Sequence, residues 1–181
     1  MPVGLPPKQF AAALGALSGR LSGLARTASD GLIDGMESIA EQAVERLKER
    51  TPRSEEAGDH IADGWVSREA DAPGPGRFEV EIVNIEPRAL APIPVKGGGE
   101  TNLLTILEYG SKPHEIEPVN AQALHFTTGG GAEIFAAHVE HPGTQPYAMI
   151  ATTAVEVALD MKRLIDATRT ALTLRASGSP R

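Results

Sequence analysis

The chain has no cysteine, so any metal site would need its five histidines and 24 carboxylates, a ligand set that suits zinc. The histidines are His60, His114, His125, His138 and His141. His138 and His141 stand three apart, the first in a strand-like run and the second in the turn after it. Their side chains are therefore expected to point in different directions, unlike an i, i+4 pair on one helix face. His114 and His141 each sit beside a proline in a turn. There an imidazole holding backbone groups is the simpler reading, and a metal ligand the alternative. No arrangement of Ser, His and Asp resembles a nucleophile elbow. "KGGGET" (96–101) lacks the Gly-Lys-Ser/Thr ending of a phosphate loop and carries its lysine before the glycines, so it reads as a flexible loop. Gly129–Gly131 reads as a hairpin turn. The expectation is no catalytic residue, no bound metal and no cofactor. The rival from another class is a metal-dependent enzyme using the histidines.

A third pattern is acidic. Glu37, Glu41, Glu45 and Glu49 recur every four residues and drift about 40° per step around a helix. Like charges at that spacing cost a few tenths of a kcal/mol per pair, part of which Lys48 offsets. The stripe is either a solvated face or a surface that repels a passing polyanion. A net charge of −7 and only seven aromatic residues argue against nucleic-acid binding as the main task, which needs clustered cations or stacking platforms. No apolar run approaches the length of a membrane span, and no membrane partner is expected. Lys8 followed by "FAAALGAL" is a poor signal peptide, because the run is short and soon meets Arg20.

Positioning these residues requires elements whose periods can be read. At 181 residues the chain matches a single domain, 1–181, able to bury a core. Phe10, Leu14, Leu17, Leu21 and Leu24 step by four and three, predicting an N-terminal helix or arm over 1–28, weakened by Gly15, Gly19 and Gly23. Ser29 or Asp30 can cap a second helix over 29–50, with Leu32/Ile33, Met36, Ile39/Ala40, Ala43 and Leu47 on one side. Thr51-Pro52 ends it. Across 60–140 the period becomes that of a sheet with loops. "GWVSREA" and "RFEVEIVNI" flank the "DAPGPG" turn as a hairpin, and 87–100 is a proline-stiffened loop. "NLLTILEY" is a short helix or a strand. "HEIEPV", "ALHFTT" and "EIFAAHVE" are further strands, the last two joined at 129–131. A long helix follows over 146–174. The fold class is α+β, an antiparallel sheet of four to five strands flanked by long N-terminal and C-terminal helices.

Two stiff, histidine-bearing stretches remain, "LEYGSKPHEIEPVNAQALHF" (107–126) and "HVEHPGTQPYAMI" (138–150). Prolines pre-set backbone angles and lower the entropy lost when a loop docks. The docking candidates are Glu108, Tyr109, Gly110, Lys112, Pro113, His114, Pro118, His141, Pro142, Gly143 and Pro146. The same stretches carry a resemblance. Glu108 to His114 matches a Glu-aromatic-Gly-Ser/Thr-Lys/Arg-Pro-His turn, followed by an Ile-x-Pro step. Gln122 to Phe126 matches a Lys/Gln-Ala-Leu-x-Phe strand. Phe135-Ala136 and His141 to Pro146 match a Phe-Ala strand leading into His-Pro-Gly-Thr-x-Pro. In this order and spacing the chain resembles the small neck, or tail-component, family of long-tailed bacteriophages and prophages. Tyr147-Ala148-Met149 departs from the Pro-Phe-hydrophobic step common there, and "EEAGDH" lacks the usual Thr-Gly.

The resemblance implies a structural virion protein at the head–tail junction, completing the tail and joining it to the head connector. It implies a ring, most simply a hexamer of this chain, around the DNA channel. Partners would be head-side connector, adaptor or stopper proteins and tail-terminator or tail-tube proteins, assembled in the host cytoplasm, with DNA passing through unbound. Within this class the alternative is a tail terminator capping the tube. Glu37, Glu41, Glu45 and Glu49 are the candidates for the wall facing the DNA.

Overall fold

The computed structural model describes residues 7–53, 60–69, 78–95, 98–118, 121–128 and 130–177, with backbone only for 7–14, 16, 17, 20, 21 and 24. The class is α+β, with long helices and short strand pairs. The chain forms two compact units, one from Met1–Arg46, Val66–Val83 and Thr153–Arg181, the other from Leu47–Trp65 and Asn84–Thr152.

In the first unit the dominant element is α1. The helix spanning Pro7–Arg50 is a single run of 44 residues, where the sequence reading places two helices meeting at 28–29. Ser29 and Asp30 favour a cap, but capping requires a residue to leave helical dihedrals, and no proline between Pro7 and Arg50 forces that. Ile39, Ala40, Ala43 and Val44 form its buried face. The C-terminal helix α4, Met149–Ala176, runs antiparallel to it. A Cβ on Gly35 would lie 2.5 Å from Leu164, while Arg46 donates to Asp160 at 2.9 Å and pairs with Glu156 at 3.5 Å. The Arg46 hydrogen bond holds the Asp160 carboxyl below the usual carboxylate range, and Arg163 adds to this against partial desolvation. Strands β1 (Trp65–Glu69) and β2 (Val80–Asn84) pair as the sequence predicts, with Arg68 bonded to Glu81 at 2.9 Å. The "DAPGPG" turn lies outside the described residues.

The second unit is organised by Thr51. Its backbone N–H and its hydroxyl both donate to the Leu47 carbonyl, at 2.9 and 2.6 Å, closing the end of α1. The same hydroxyl accepts from the Trp65 indole N–H at 2.8 Å and lies 3.3 Å from the Met149 sulfur. Among the described residues of this unit, Leu47, Ala62, Trp65, Ala89, Leu107 and Met149 are the buried apolar ones. Asn84 ties the end of β2 to the 3-10 turn Ile61–Gly64, donating to the Ile61 carbonyl at 2.8 Å and accepting from the Glu86 N–H at 3.0 Å. The described part of 87–100 carries more regular structure than the predicted loop. It holds a one-turn helix α2, Pro87–Leu90, capped by Glu86, then β3 (Ile93–Pro94) paired with β4 (Glu100–Thr101).

"NLLTILEY" resolves as helix. α3 spans Leu103–Tyr109, with the Asn102 side chain accepting from Thr105 N–H at 2.8 Å as its N-cap. Next come β5 (His114–Ile116), β6 (Leu124–Thr127), β7 (Glu133–Ala136) and β8 (Val139–His141). β6 and β7 pair antiparallel around the 128–132 turn, as expected. "EIFAAHVE", by contrast, is two strands. The chain bends at Ala137, so β8 leaves β7 and pairs antiparallel with β5 instead. Among the described residues the strands therefore associate two by two. α4 begins at Met149 rather than Pro146, because Pro146–Ala148 belong to the preceding loop, and it extends two residues beyond the expected end at 174.

Candidate functional site

The two proline-bearing stretches fold against each other. α3 stops at Gly110, whose φ of +75° only glycine adopts readily and whose N–H donates to the Ile106 carbonyl at 2.8 Å. A Cβ there would stand 2.5 Å from the Thr144 carbonyl oxygen. Ser111 and Thr144 then exchange backbone hydrogen bonds at 2.9 and 3.1 Å, and the Ser111 hydroxyl accepts from Thr144 N–H at 3.0 Å. Gly143, at φ +86°, has its would-be Cβ blocked by the backbone of Ser111, Lys112 and Pro113. Each loop thus sets one left-handed glycine against the other's main chain, which locks their separation.

Two of the five histidines lie at this clasp. His114 and His141 are register partners across β5 and β8, with ring centroids 5.0 Å apart and planes tilted by 35°. His114 Nδ1 lies 2.8 Å from the Lys112 carbonyl, an acceptor, so that nitrogen carries the proton. His141 Nδ1 accepts from Gly143 N–H at 3.1 Å, which leaves the proton of the neutral ring on Nε2. A ligating imidazole needs a free lone pair; His141 has neither nitrogen available in this arrangement. His141 lies in β8 and His138 just before it, reversing the predicted strand and turn. His125 stacks on Phe135 at 4.5 Å, and His138 Nε2 stands 3.9 Å from Glu115. Among the described residues no three His, Asp or Glu side chains are grouped to hold a metal ion.

The clasp is also the seat of α4. Tyr147 N–H donates to the Leu107 carbonyl at 2.8 Å and Ala148 N–H to the Glu108 carbonyl at 3.3 Å. Ala148 takes φ +48°, a left-handed conformation that a non-glycine residue adopts at a cost of about 1–2 kcal/mol. The Glu108 carboxylate accepts from Ile150 N–H at 2.8 Å and Ala151 N–H at 2.9 Å, satisfying the first turn of α4 and opposing its dipole. Glu108 is buried at 5% exposure, so it supports the loops from beneath and does not belong to their outer face.

That outer face consists of Tyr109, Lys112, Pro113, His114, Pro142 and Pro146, all exposed, with Tyr109 at 77%. Pro118 follows β5, half-buried and beyond the clasp. Compared with protein-family models, curated proteins and solved structures, the chain matches none. Glu37, Glu41, Glu45 and Glu49 are all exposed, on the side of α1 away from Ile39, Ala43 and Leu47. No described helix is long and apolar enough to cross a membrane.

Sequence reasoning missed Thr51, Trp65, Ser111 and Thr144 as structural partners. Ser111 and Thr144 lie within the two quoted stretches, but hydroxyls so far apart in sequence announce no pairing. Thr51 was visible only as the residue before a proline.

Proposed function

We propose that this chain is a structural component of the head–tail junction of a long-tailed phage or prophage. It completes the tail and joins it to the head connector as a ring around the DNA channel, with six copies the simplest match to a tail. The reading rests on the resemblance of residues 107–126 and 135–146. One structural observation supports it: those two segments, with Ser111 and Thr144 separated by 33 residues, form a single clasp. A rigid clasp with an exposed outer face suits docking, because little conformational entropy remains to be lost. Exposed large apolar side chains, Tyr109, Phe135, Val155 and Leu174 among them, each above 60% exposure, suit a chain that is covered in an assembly. In that setting the strand pairs complete the sheet of four to five strands. Glu37, Glu41, Glu45 and Glu49 line the DNA path without binding it.

The protein is a virion part rather than an enzyme in this reading, with head-side connector, adaptor or stopper proteins and tail-terminator or tail-tube proteins as its neighbours. Mass spectrometry of purified particles, with a reconstruction of the neck, tests it. The chain should be present in several copies between connector and tube. A position capping tails that lack heads would assign it as the terminator instead. Its absence from particles, together with stoichiometric zinc in the isolated protein, would replace the proposal with the enzyme reading.

A further inference from the structure

A strand pair leaves two edges, each a row of main-chain donors and acceptors that another strand can fill. Among the described residues three of the four pairs guard theirs. β3 contains Pro94, Pro113 and Pro142 flank the β5–β8 pair, and β1–β2 carries Arg68, Glu69 and Glu81. The hairpin of β6 (Leu124–Thr127) and β7 (Glu133–Ala136) has no proline, lysine or arginine. Its edges are also open. Thr128 N–H donates to the Ala132 carbonyl at 2.9 Å, so by antiparallel alternation Phe126 and Ile134 exchange the next ladder bonds. The main-chain groups of His125, Thr127, Glu133 and Phe135 then point outward. The close His125–Phe135 stack, with centroids 4.5 Å apart, fits the shorter spacing of a pair without ladder bonds. Among the described residues no other main-chain hydrogen bond reaches these four positions, and all four are exposed.

The faces of the hairpin are bare as well. Its register puts Leu124, Phe126, Ile134 and Ala136 on one side and His125, Thr127, Glu133 and Phe135 on the other. Phe126 and Ile134 are 39% and 37% exposed, and only Leu124 and Ala136 are half-buried. A lone two-stranded hairpin is marginal in water, and three or more strands sharing an apolar face are stable. Copies of this hairpin can supply those strands. Its two edges run in opposite directions, so β6 of one copy meets β7 of the next antiparallel, and each junction lengthens the apolar face. Charge favours this pairing over like with like. β6 brings His125 and β7 brings Glu133, 3.9 Å apart within one hairpin. With the same register across the junction, Thr127 faces the next copy's Glu133 and His125 lies diagonal to it. A β7-to-β7 junction instead sets two Glu133 carboxylates beside each other, which is destabilising.

We propose that β6 of one copy of this chain pairs edge to edge with β7 of the next, building a sheet shared between subunits. The contact joins two different edges, so repeating it closes a ring or extends a filament. It rests on the ring of the proposed function and deepens it by naming the contact. The two fail separately, because the junction is measured on isolated full-length protein and the virion assignment on particles.

The chain has no cysteine, so single introduced cysteines report the junction without background. Across it, Thr127 stands opposite the next copy's Glu133 as a hydrogen-bonded pair, with Cα atoms about 5.5 Å apart, a span that a disulfide bridges. Full-length T127C and E133C, mixed and oxidised at about 0.1 mM, should form a mixed disulfide at about tenfold or more over either variant alone. Sedimentation velocity at that concentration should show the wild type associated. T127P removes one outward N–H and no ladder bond within its own hairpin, and should weaken association by about tenfold. Circular dichroism on each variant checks that these exposed substitutions leave the fold intact. A mixed disulfide no more abundant than in the single variants would overturn the proposal, as would a monomeric wild type. So would E133C cross-linking as readily alone, because β7 would then pair with β7, or T127P associating as the wild type does.

Discussion

Removing the Glu108 carboxylate should loosen the start of α4. The structure gives it two charge-assisted bonds, to Ile150 and Ala151 N–H at 2.8 and 2.9 Å, from a side chain almost wholly out of water. Loss of an N-terminal cap costs about 1 kcal/mol, and a buried donor left unpaired adds about 1–3 kcal/mol. Ile150 and Ala151 are both exposed residues whose amides can recruit water, so neither incurs the full buried-donor penalty and Glu108→Ala should cost about 1–2 kcal/mol in all. For a chain of this size that lowers Tm by roughly 2–8 °C. Glu108→Gln keeps one acceptor oxygen but turns an amide toward the second N–H, and should lose about half as much. Thermal unfolding gives the total, and hydrogen exchange at Ile150 and Ala151 shows whether the loss is local. Glu100→Ala, on an exposed strand, serves as the control and should change stability by no more than about 0.5 kcal/mol. If Glu108→Ala melts within about 1 °C of wild type, with exchange at those two amides unchanged, the carboxylate does not seat the helix.

Gly143 and Gly131 form a matched pair, both left-handed, but only Gly143 faces backbone within contact distance. Gly131→Ala should cost about 1–2 kcal/mol, and Gly143→Ala clearly more because the clasp must open; equal losses in urea unfolding would contradict the interlocked geometry. Thr51→Val strands the indole N–H of Trp65 and should cost about 1–3 kcal/mol, with a shift in the emission of the protein's single tryptophan. Asp160 has its pKa lowered in the fold by Arg46, so its contribution is present above the unfolded value and lost as pH falls through the folded one. Arg46→Met should flatten the stability profile in that acidic window, and an unchanged profile would discount the pair. Replacing Glu37, Glu41, Glu45 and Glu49 by glutamine in an infectious particle should leave assembly normal and slow DNA ejection, whereas normal ejection would remove them from the channel wall.

The local elements were legible because their causes are local. Apolar steps of three and four marked the helices, Thr51-Pro52 closed the second predicted one, and Phe78, Val80 and Ile82 alternated through a strand. The "EYGSKPH" and "HPGTQP" turns announced themselves through glycines and prolines whose backbone preferences travel with the residue. What the tertiary structure decided was which of these pieces meet. Ser29 and Asp30 allowed a helix break that the continuous α1 did not take. Ala137 looked like mid-strand, but β8 turns there to reach β5, so His141 became a strand residue paired with His114. Glu108 was read as a docking-loop residue, and its burial under α4 depends on a helix beginning 41 positions later. Spacing along a chain reports dihedral preference and one-sided hydrophobicity. It does not report which distant amide a carboxylate will find, since that follows from how the packed elements bring their ends together.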